Sequence, residues 1–298
     1  MTSAIATATL PGPAPESVPT GRVRHHRQLV TTLAAYVVAV LVVVVTVVPL
    51  LYVFLGGFRT TAQINASPAA LPHPWVFDNY RAILTSHLFW QFLANSAIIA
   101  VATTALTVCV GAMAAFALAR YSFPGREAWY GLFTLGLLFP LTVAALPLYL
   151  WLRKLDLLEN YLGVIIPEAA FSLSITIVIL RPFMRQIPAE LEDAALVDGA
   201  GRLGFFWRIL LPLARPALAT VAILAFVTSW NFFLLPLLVF NDQSHFTLPL
   251  GAAAFQTQYS QDTARVLAFS ALSILPTLLF FVAAERRIVS ALSGAVKG

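Results

Sequence analysis

Residues 181–215 read RPFMRQIPAELEDAALVDGAGRLGFFWRILLPLAR. Pro188 suits the first turn of a helix, where its missing N–H is no loss. Glu190, Glu192 and Asp193 follow in that turn, where the helix dipole favours negative charge. Ala194, Ala195 and Leu196 carry the helix on, and Gly199 after Asp198 suits the left-handed position past a helix end. From about Leu203 a second stretch sets Phe206, Ile209 and Leu210 on one face until Pro212 interrupts it. The spacing predicts a short acidic-ended helix, a tight turn and an amphipathic helix. Ala194, Ala195, Gly199 and Ala200 are small enough to let another surface approach closely. A helix lying on lipid headgroups is the competing reading, but acidic residues match an anionic leaflet poorly. The stretch reads better as a place where a protein docks.

Outward from this segment the chain turns apolar on both sides. Of its 298 residues 59% are apolar and 10% charged, with mean hydropathy +0.84. A soluble domain carries about 45–50% apolar and about 25% charged residues, so this chain needs lipid as part of its solvent. Six runs are long enough to span a bilayer: Leu29–Leu55, Phe92–Leu118, Trp129–Leu150, Tyr161–Leu180, Pro216–Phe240 and Val266–Ala284. The fold class is therefore all-α integral membrane, with a six-span domain over 29–284. Residues 1–28 are expected to be a disordered cytoplasmic tail, rich in proline at positions 11, 13, 15 and 19. The first run is much longer than a signal-peptide core and no A-x-A site follows it, so it reads as an uncleaved span.

Charge sets the orientation. With the N-terminus inside, the inner segments hold thirteen of the eighteen Lys and Arg residues and the outer segments hold five. This asymmetry puts both termini in the cytoplasm, with 181–215 an inner loop, 241–265 an outer loop and 285–298 a cytoplasmic tail. Arg59 and Arg81 then mark the outer surface.

The same residues bear on function by exclusion. Net charge +5 and a pI near 9.7 arise from short loops between apolar runs, without the continuous basic face that binds nucleic acid. Cys109 is the single cysteine and reads as packing inside a span. The five histidines show no ligand spacing, so no metal site is expected. A Walker A loop requires Gly-Lys-Ser/Thr, and the two lysines, Lys154 and Lys297, follow Arg and Val. Any coupling to ATP must come from another chain. Paired carboxylates, histidine clusters and GxSxG are missing from the spans, so an intramembrane enzyme has no support. An ion- or proton-coupled carrier is the alternative transporter, but its mid-span charges are nearly missing here.

A few polar residues in the spans remain. Glu168 follows Pro167 near the outer part of the fourth run and is either a functional carboxyl or a residue in interfacial water. Asn95, Ser229, Trp230 and Asn231 are candidates for lining a solute path, Trp230 by stacking on a sugar ring. Serine, threonine and asparagine equally join helix to helix in membranes.

The loop also carries a family resemblance. Asp193-Ala-Ala-x-x-Asp198-Gly199-Ala200, followed by Phe206, Ile209, Leu211 and Pro212, resembles the EAA loop of ABC importer permeases. The family pattern is EAA-x2-DGA, then F, I and LP. Asp193 replaces the glutamate and keeps the carboxylate on a shorter arm. The likeness extends along the chain from Leu29. Phe77-Asp-Asn-Tyr80, Asn95-Ser96, Ala115-Phe-Ala-Leu-Ala-Arg120, Phe123-Pro-Gly125, Trp230-Asn231 and Gly294-Ala-Val-Lys-Gly298 are similar to the shorter, six-span permease of maltose-type carbohydrate importers. Phe232 departs from it, where many relatives carry an acidic residue.

The resemblance implies an importer-type ABC permease fold in a bacterial cytoplasmic membrane. Ala189–Ala200 would be a coupling helix, with Glu190, Asp193, Ala194, Ala195, Asp198, Gly199 and Ala200 against a cytoplasmic ATPase. It implies two copies of that ATPase, which would bind ATP and Mg, and no cofactor in this chain. It further implies a second permease, expected to be a different chain, and an extracytoplasmic sugar-binding protein meeting 241–265. The C-terminal tail would reach toward the ATPase pair.

Overall fold

A computed structural model of the protein describes residues 22–259 and 261–296, with side chains described from 32 to 279. Of the expected disordered tail 1–28, residues 1–21 lie outside the described residues, as does the final Lys297-Gly298, while 22–28 are helical at the start of the first helix, because the apolar run that follows propagates back into them. The chain divides into two units, Met1–Leu51 and Tyr52–Gly298.

The first unit is most of helix α1, Arg22–Gly56. Its stretch Thr32–Gly56 has mean hydropathy 3.0, and from Leu33 to Leu51 its valines and leucines are exposed on every side. A helix apolar all round is suited to lipid.

The second unit begins with α2, Thr61–Ala66, and α3, Asp78–Leu84. Long α4, His87–Arg120, follows, then α5, Arg126–Gly136, and α6, Leu141–Lys154. Helix α7 runs Leu162–Gln186 and α8 Glu190–Val197. Next come α9, Arg202–Phe205, a π turn at Phe206–Leu210, α10, Leu211–Leu213, and α11, Arg215–Trp230. The chain closes with α12, Leu234–Val239, α13, Leu248–Gln258, and α14, Thr263–Val296. No strand occurs among the described residues.

Helices α4, α7 and α11 pack together as the centre of this unit, with α5 against α7 and α14 against α11. Small residues allow the close approach of α4 and α7. Ala112, Ala115 and Ala119 are buried, and a Cβ at Gly111 would collide with the Thr176 methyl group. Lipid supplies little hydrophobic drive between helices, so such backbone proximity carries much of the attraction.

Among the described residues three helices are long and apolar enough to cross a membrane: Thr32–Gly56, His87–Arg120 and Leu162–Gln186. The third expected run is a bent pair, and a second bend falls just before the fifth expected run. Between α5 and α6 the axis turns by 100°, because Pro140 biases Phe139 away from helical geometry and cannot donate to the preceding turn. Between α10 and α11 it turns by 79° at Ala214, with Pro216 in the new first turn, where proline fits. Counting each bent pair as one span gives five. The sixth expected run falls on α14, whose apolar part is described over Thr263–Leu279.

The fifth run also ends early. Helix α11 stops at Trp230, and Pro236 falls within the separate short helix α12. The fourth run extends beyond Leu180 to Gln186, through Arg181 and Pro182. Arg181 can stay in the helix because it is satisfied there. It donates to the Leu118 carbonyl at 3.1 Å, pairs with Glu127 and lies over the Tyr130 ring at 4.0 Å.

Two expectations about single residues change. Arg59 does not mark the surface. It is 3% exposed, and its guanidinium donates to the carbonyls of Pro68, Gln63 and Ser67. These carbonyls belong to helix Thr61–Ala66 and the two residues after it, whose C-terminal end folds back over the guanidinium. Cys109 is exposed on α4 rather than packed inside, since the chain buries the opposite face of that helix. Arg81 is at the surface as expected.

Candidate functional site

The acidic-ended segment forms as α8. Its start lies just beyond Pro188, with the N–H groups of Glu192 and Asp193 donating to the Ala189 carbonyl. Its end is a Schellman closure: Gly199 N–H donates to Leu196 O at 3.1 Å and Ala200 N–H to Ala195 O at 2.8 Å. Gly199 takes φ +82°, a conformation that costs a side chain dearly.

The second stretch stays helical past Pro212 by inserting the π turn at Phe206–Leu210. A wider turn lets the ladder reorganise ahead of a residue that cannot donate. This buries Phe205, Phe206 and Leu210 against Phe116, Leu180 and Met184. The loop thus rests on a rigid apolar floor made by the ends of α4 and α7.

Arg120 at the end of α4 ties the two parts together. Its Nη2 donates to Ile187 O at 2.6 Å, its Nη1 lies 3.9 Å from Glu192, and its guanidinium sits 6.0 Å from the Phe205 ring centre. Glu190, Asp193, Ala194, Asp198 and Gly199 share the exposed outside of this platform. Ala195 does not. At 5% exposure it packs inward, so its small size serves the chain's own core. Ala200 is half-buried beside it.

Sequence reasoning missed Val197, which is 87% exposed at the tip of α8, and the neighbouring exposed Leu196. Their signal was present as apolar residues lying off the inward face set by Ala195.

The polar residues of the spans fall in three places. Asn95 is buried at the opposite end of α4 and fully engaged. Its Nδ2 donates to Ser244 O at 2.8 Å and Phe246 O at 3.0 Å, and its Oδ1 accepts from Tyr161 at 2.7 Å. With Ser96 Oγ accepting from Leu248 N–H at 2.7 Å, it pins the 241–265 segment onto the bundle.

Trp230 is buried against Phe226, with ring centres 5.6 Å apart. Asn231 caps α11, donating to Val227 O at 2.8 Å. Both border a cavity of about 200 Å³ with Ser273 and Thr277.

Glu168 and Ser229 meet. Ser229 on α11 donates to Glu168 Oε2, and Thr103 on α4 donates to the same oxygen at 3.4 Å. Glu168 is 4% exposed, which removes the reading of a carboxyl in interfacial water. It borders a cavity of about 240 Å³ between α7, α11 and α12, shared with Phe171, Ser172, Thr228 and Phe232.

A helical membrane bundle with an exposed, rigidly backed acidic helix at one end and a largely apolar cavity holding one carboxyl between its central helices has the architecture of a transport permease. Residues 107–287 match the family described as "Binding-protein-dependent transport system inner membrane component", and the chain belongs to that family.

Among its relatives is the diacetylchitobiose uptake system permease protein NgcG of Streptomyces coelicolor, 36% identical over 87% of this chain and 86% of that one. Another is the trehalose transport system permease protein SugB of Mycobacterium tuberculosis, 37% identical over 84% and 92%. The fold is that of a solved bacterial ABC transporter that imports the acidic polysaccharide alginate, with TM-score 0.74, 23% identity and coverage of 92% of this chain and 99% of that one. The chain is accordingly a permease subunit of an ABC importer, a transport component of the inner membrane and not an enzyme. The carrier alternative finds no support among these relatives.

Proposed function

We propose that the chain forms half of the translocation path of an ATP-driven carbohydrate importer and takes its driving force through the loop 189–212. The observation that carries this is the platform itself: a helix closed by Gly199, exposed along Glu190, Asp193 and Asp198, and seated on the buried Phe205–Phe206 floor. A lever must be exposed to be pushed and rigid to transmit the push, and this segment is both. Carbohydrate as cargo is supported by relatives that serve diacetylchitobiose, trehalose and arabinooligosaccharides.

On this reading two ATPase copies hold ATP and Mg in the cytoplasm. A second permease, a different chain, completes the path. The segment 241–265, pinned by Asn95 and with Gln256–Gln258 exposed, meets an extracytoplasmic sugar-binding protein. Six spans then place both termini inside. The chain's own residues hold no nucleotide; they bear the load and shape the path.

The test is a mild-detergent pull-down joined to an uptake assay. The full complex is expected to copurify with an ATPase, and Asp198→Lys is expected to lower uptake at least about tenfold, the loss of one charge-assisted contact. An ATPase-free preparation together with intact uptake by the variant would refute the coupling role.

A further inference from the structure

The buried carboxyl of Glu168 has more capacity than the fold uses. Both hydroxyl donors that reach it, Ser229 and Thr103, arrive at Oε2. Oε1 is buried and has no hydrogen-bond partner, and the residue borders the cavity of about 240 Å³ between α7, α11 and α12. Native structures pair nearly all of their buried polar atoms, so an unpaired acceptor at a cavity calls for an explanation. A purely structural carboxyl needs neither the empty space nor the second free oxygen.

The rest of the lining narrows the occupant. Phe171 and Phe232 supply aromatic rings, and Ser172, Thr228 and Ser229 supply hydroxyls. Among the lining residues Glu168 is the one charged type and there is no basic side chain, so an anionic ligand is disfavoured. Carbon-rich faces beside a few hydrogen-bonding groups match a neutral sugar, whose ring carries C–H on its faces and hydroxyls on its edge. The volume lies below the roughly 300 Å³ at which small-molecule sites usually begin, which suits one sugar ring rather than a whole oligosaccharide.

We infer that this cavity is a subsite for a single neutral sugar ring on the translocation path, in which Glu168 Oε1 accepts a hydrogen bond from a ring hydroxyl while Ser229 and Thr103 hold the carboxyl in place. This rests on the carbohydrate-importer reading above. It also gives Phe232 a role: an aromatic wall beside the one acceptor. Asn95 and Trp230 lie outside this subsite, the former occupied by backbone carbonyls and the latter bordering a different cavity.

The experiment uses the assembled importer with its binding protein in proteoliposomes. Trehalose, diacetylchitobiose and an arabinooligosaccharide serve as probes, the cargoes of its relatives. Ser172→Cys, in a Cys109→Ser background, is labelled during turnover with a small water-soluble thiol reagent. Labelling is expected, and whichever probe the unmodified complex takes up is expected to slow it several-fold. Adding Glu168→Leu is expected to abolish that protection and to lower uptake at least about tenfold, with Glu168→Gln, which keeps an acceptor, restoring much of both.

A thiol that never labels, or labels equally with and without sugar, overturns the subsite. So does protection that survives Glu168→Leu. Copurification of the ATPase with each variant verifies assembly, so a misfolded variant is recognised and Glu168→Gln then decides the matter: loss of protection there as well overturns the role of Oε1. If none of the probes is transported by the unmodified complex, the carbohydrate reading fails and the subsite with it. If transport is intact but insensitive to Glu168, the subsite alone fails.

Discussion

Tyr80 illustrates how single side chains hold the segment after α1 in place. Its phenol donates to Phe54 O at 2.6 Å, and its ring packs on Phe58 with centres 4.4 Å apart. Burial pushes its pKa up to about 12. A raised value means the folded state favours the protonated phenol. That stabilisation is complete below the unfolded value near 10 and is lost as pH rises through about 12. An ultraviolet titration is expected to show a phenol ionising near pH 12, and Tyr80→Phe is expected to remove that component at a cost of about 1 kcal/mol. The motif Phe77-Asp-Asn-Tyr80 was legible in the sequence, but the acceptor of the Tyr80 hydroxyl was not. Arg59 makes the same point more sharply. A basic residue beside an apolar run reads as a surface marker, and only the curled backbone around it, presenting three carbonyls, turns it into a buried anchor.

Among the elements, the contact of α4 with α7 decides how the bundle is built. Its sequence signal is the small residues Gly111, Ala112, Ala115 and Ala119, recurring on one side of the helix. Gly111→Val is expected to force the helices apart and to destabilise the fold by about 1–3 kcal/mol. Met113→Val on the exposed side of the same helix is expected to stay within about 0.5 kcal/mol. Unfolding in mixed detergent micelles checks both. Helix breaks were harder to read. Pro140, Pro212 and Pro236 were all visible, yet their outcomes differ: a bend of 100°, a π turn that keeps the helix going, and a residue inside a short separate helix. Proline states that a donor is missing. What replaces the donor depends on the neighbours that pack around the break.

For the whole molecule, Arg120 is the residue through which the loop and the central helices meet, reaching Ile187, Glu192 and Phe205 from the end of α4. Arg120→Ala is expected to lower uptake at least about tenfold while the ATPase still copurifies, because it loosens the seat of α8 without altering its exposed face. Parallel pull-down and uptake measurements check this. The sequence by itself determined that the chain lives in lipid and that one segment, 181–215, differs in kind from the rest. Composition, span length and the position of Gly199 act locally, so they survive without a fold. Only the tertiary structure decided that Ala195 faces inward while Val197 faces out, that Asn95 is a staple, and that Glu168 and Ser229 share one cavity. Residues 61 positions apart meet there because α7 and α11 pack side by side, and that packing is set by shape complementarity along entire helices rather than by any pattern within either one.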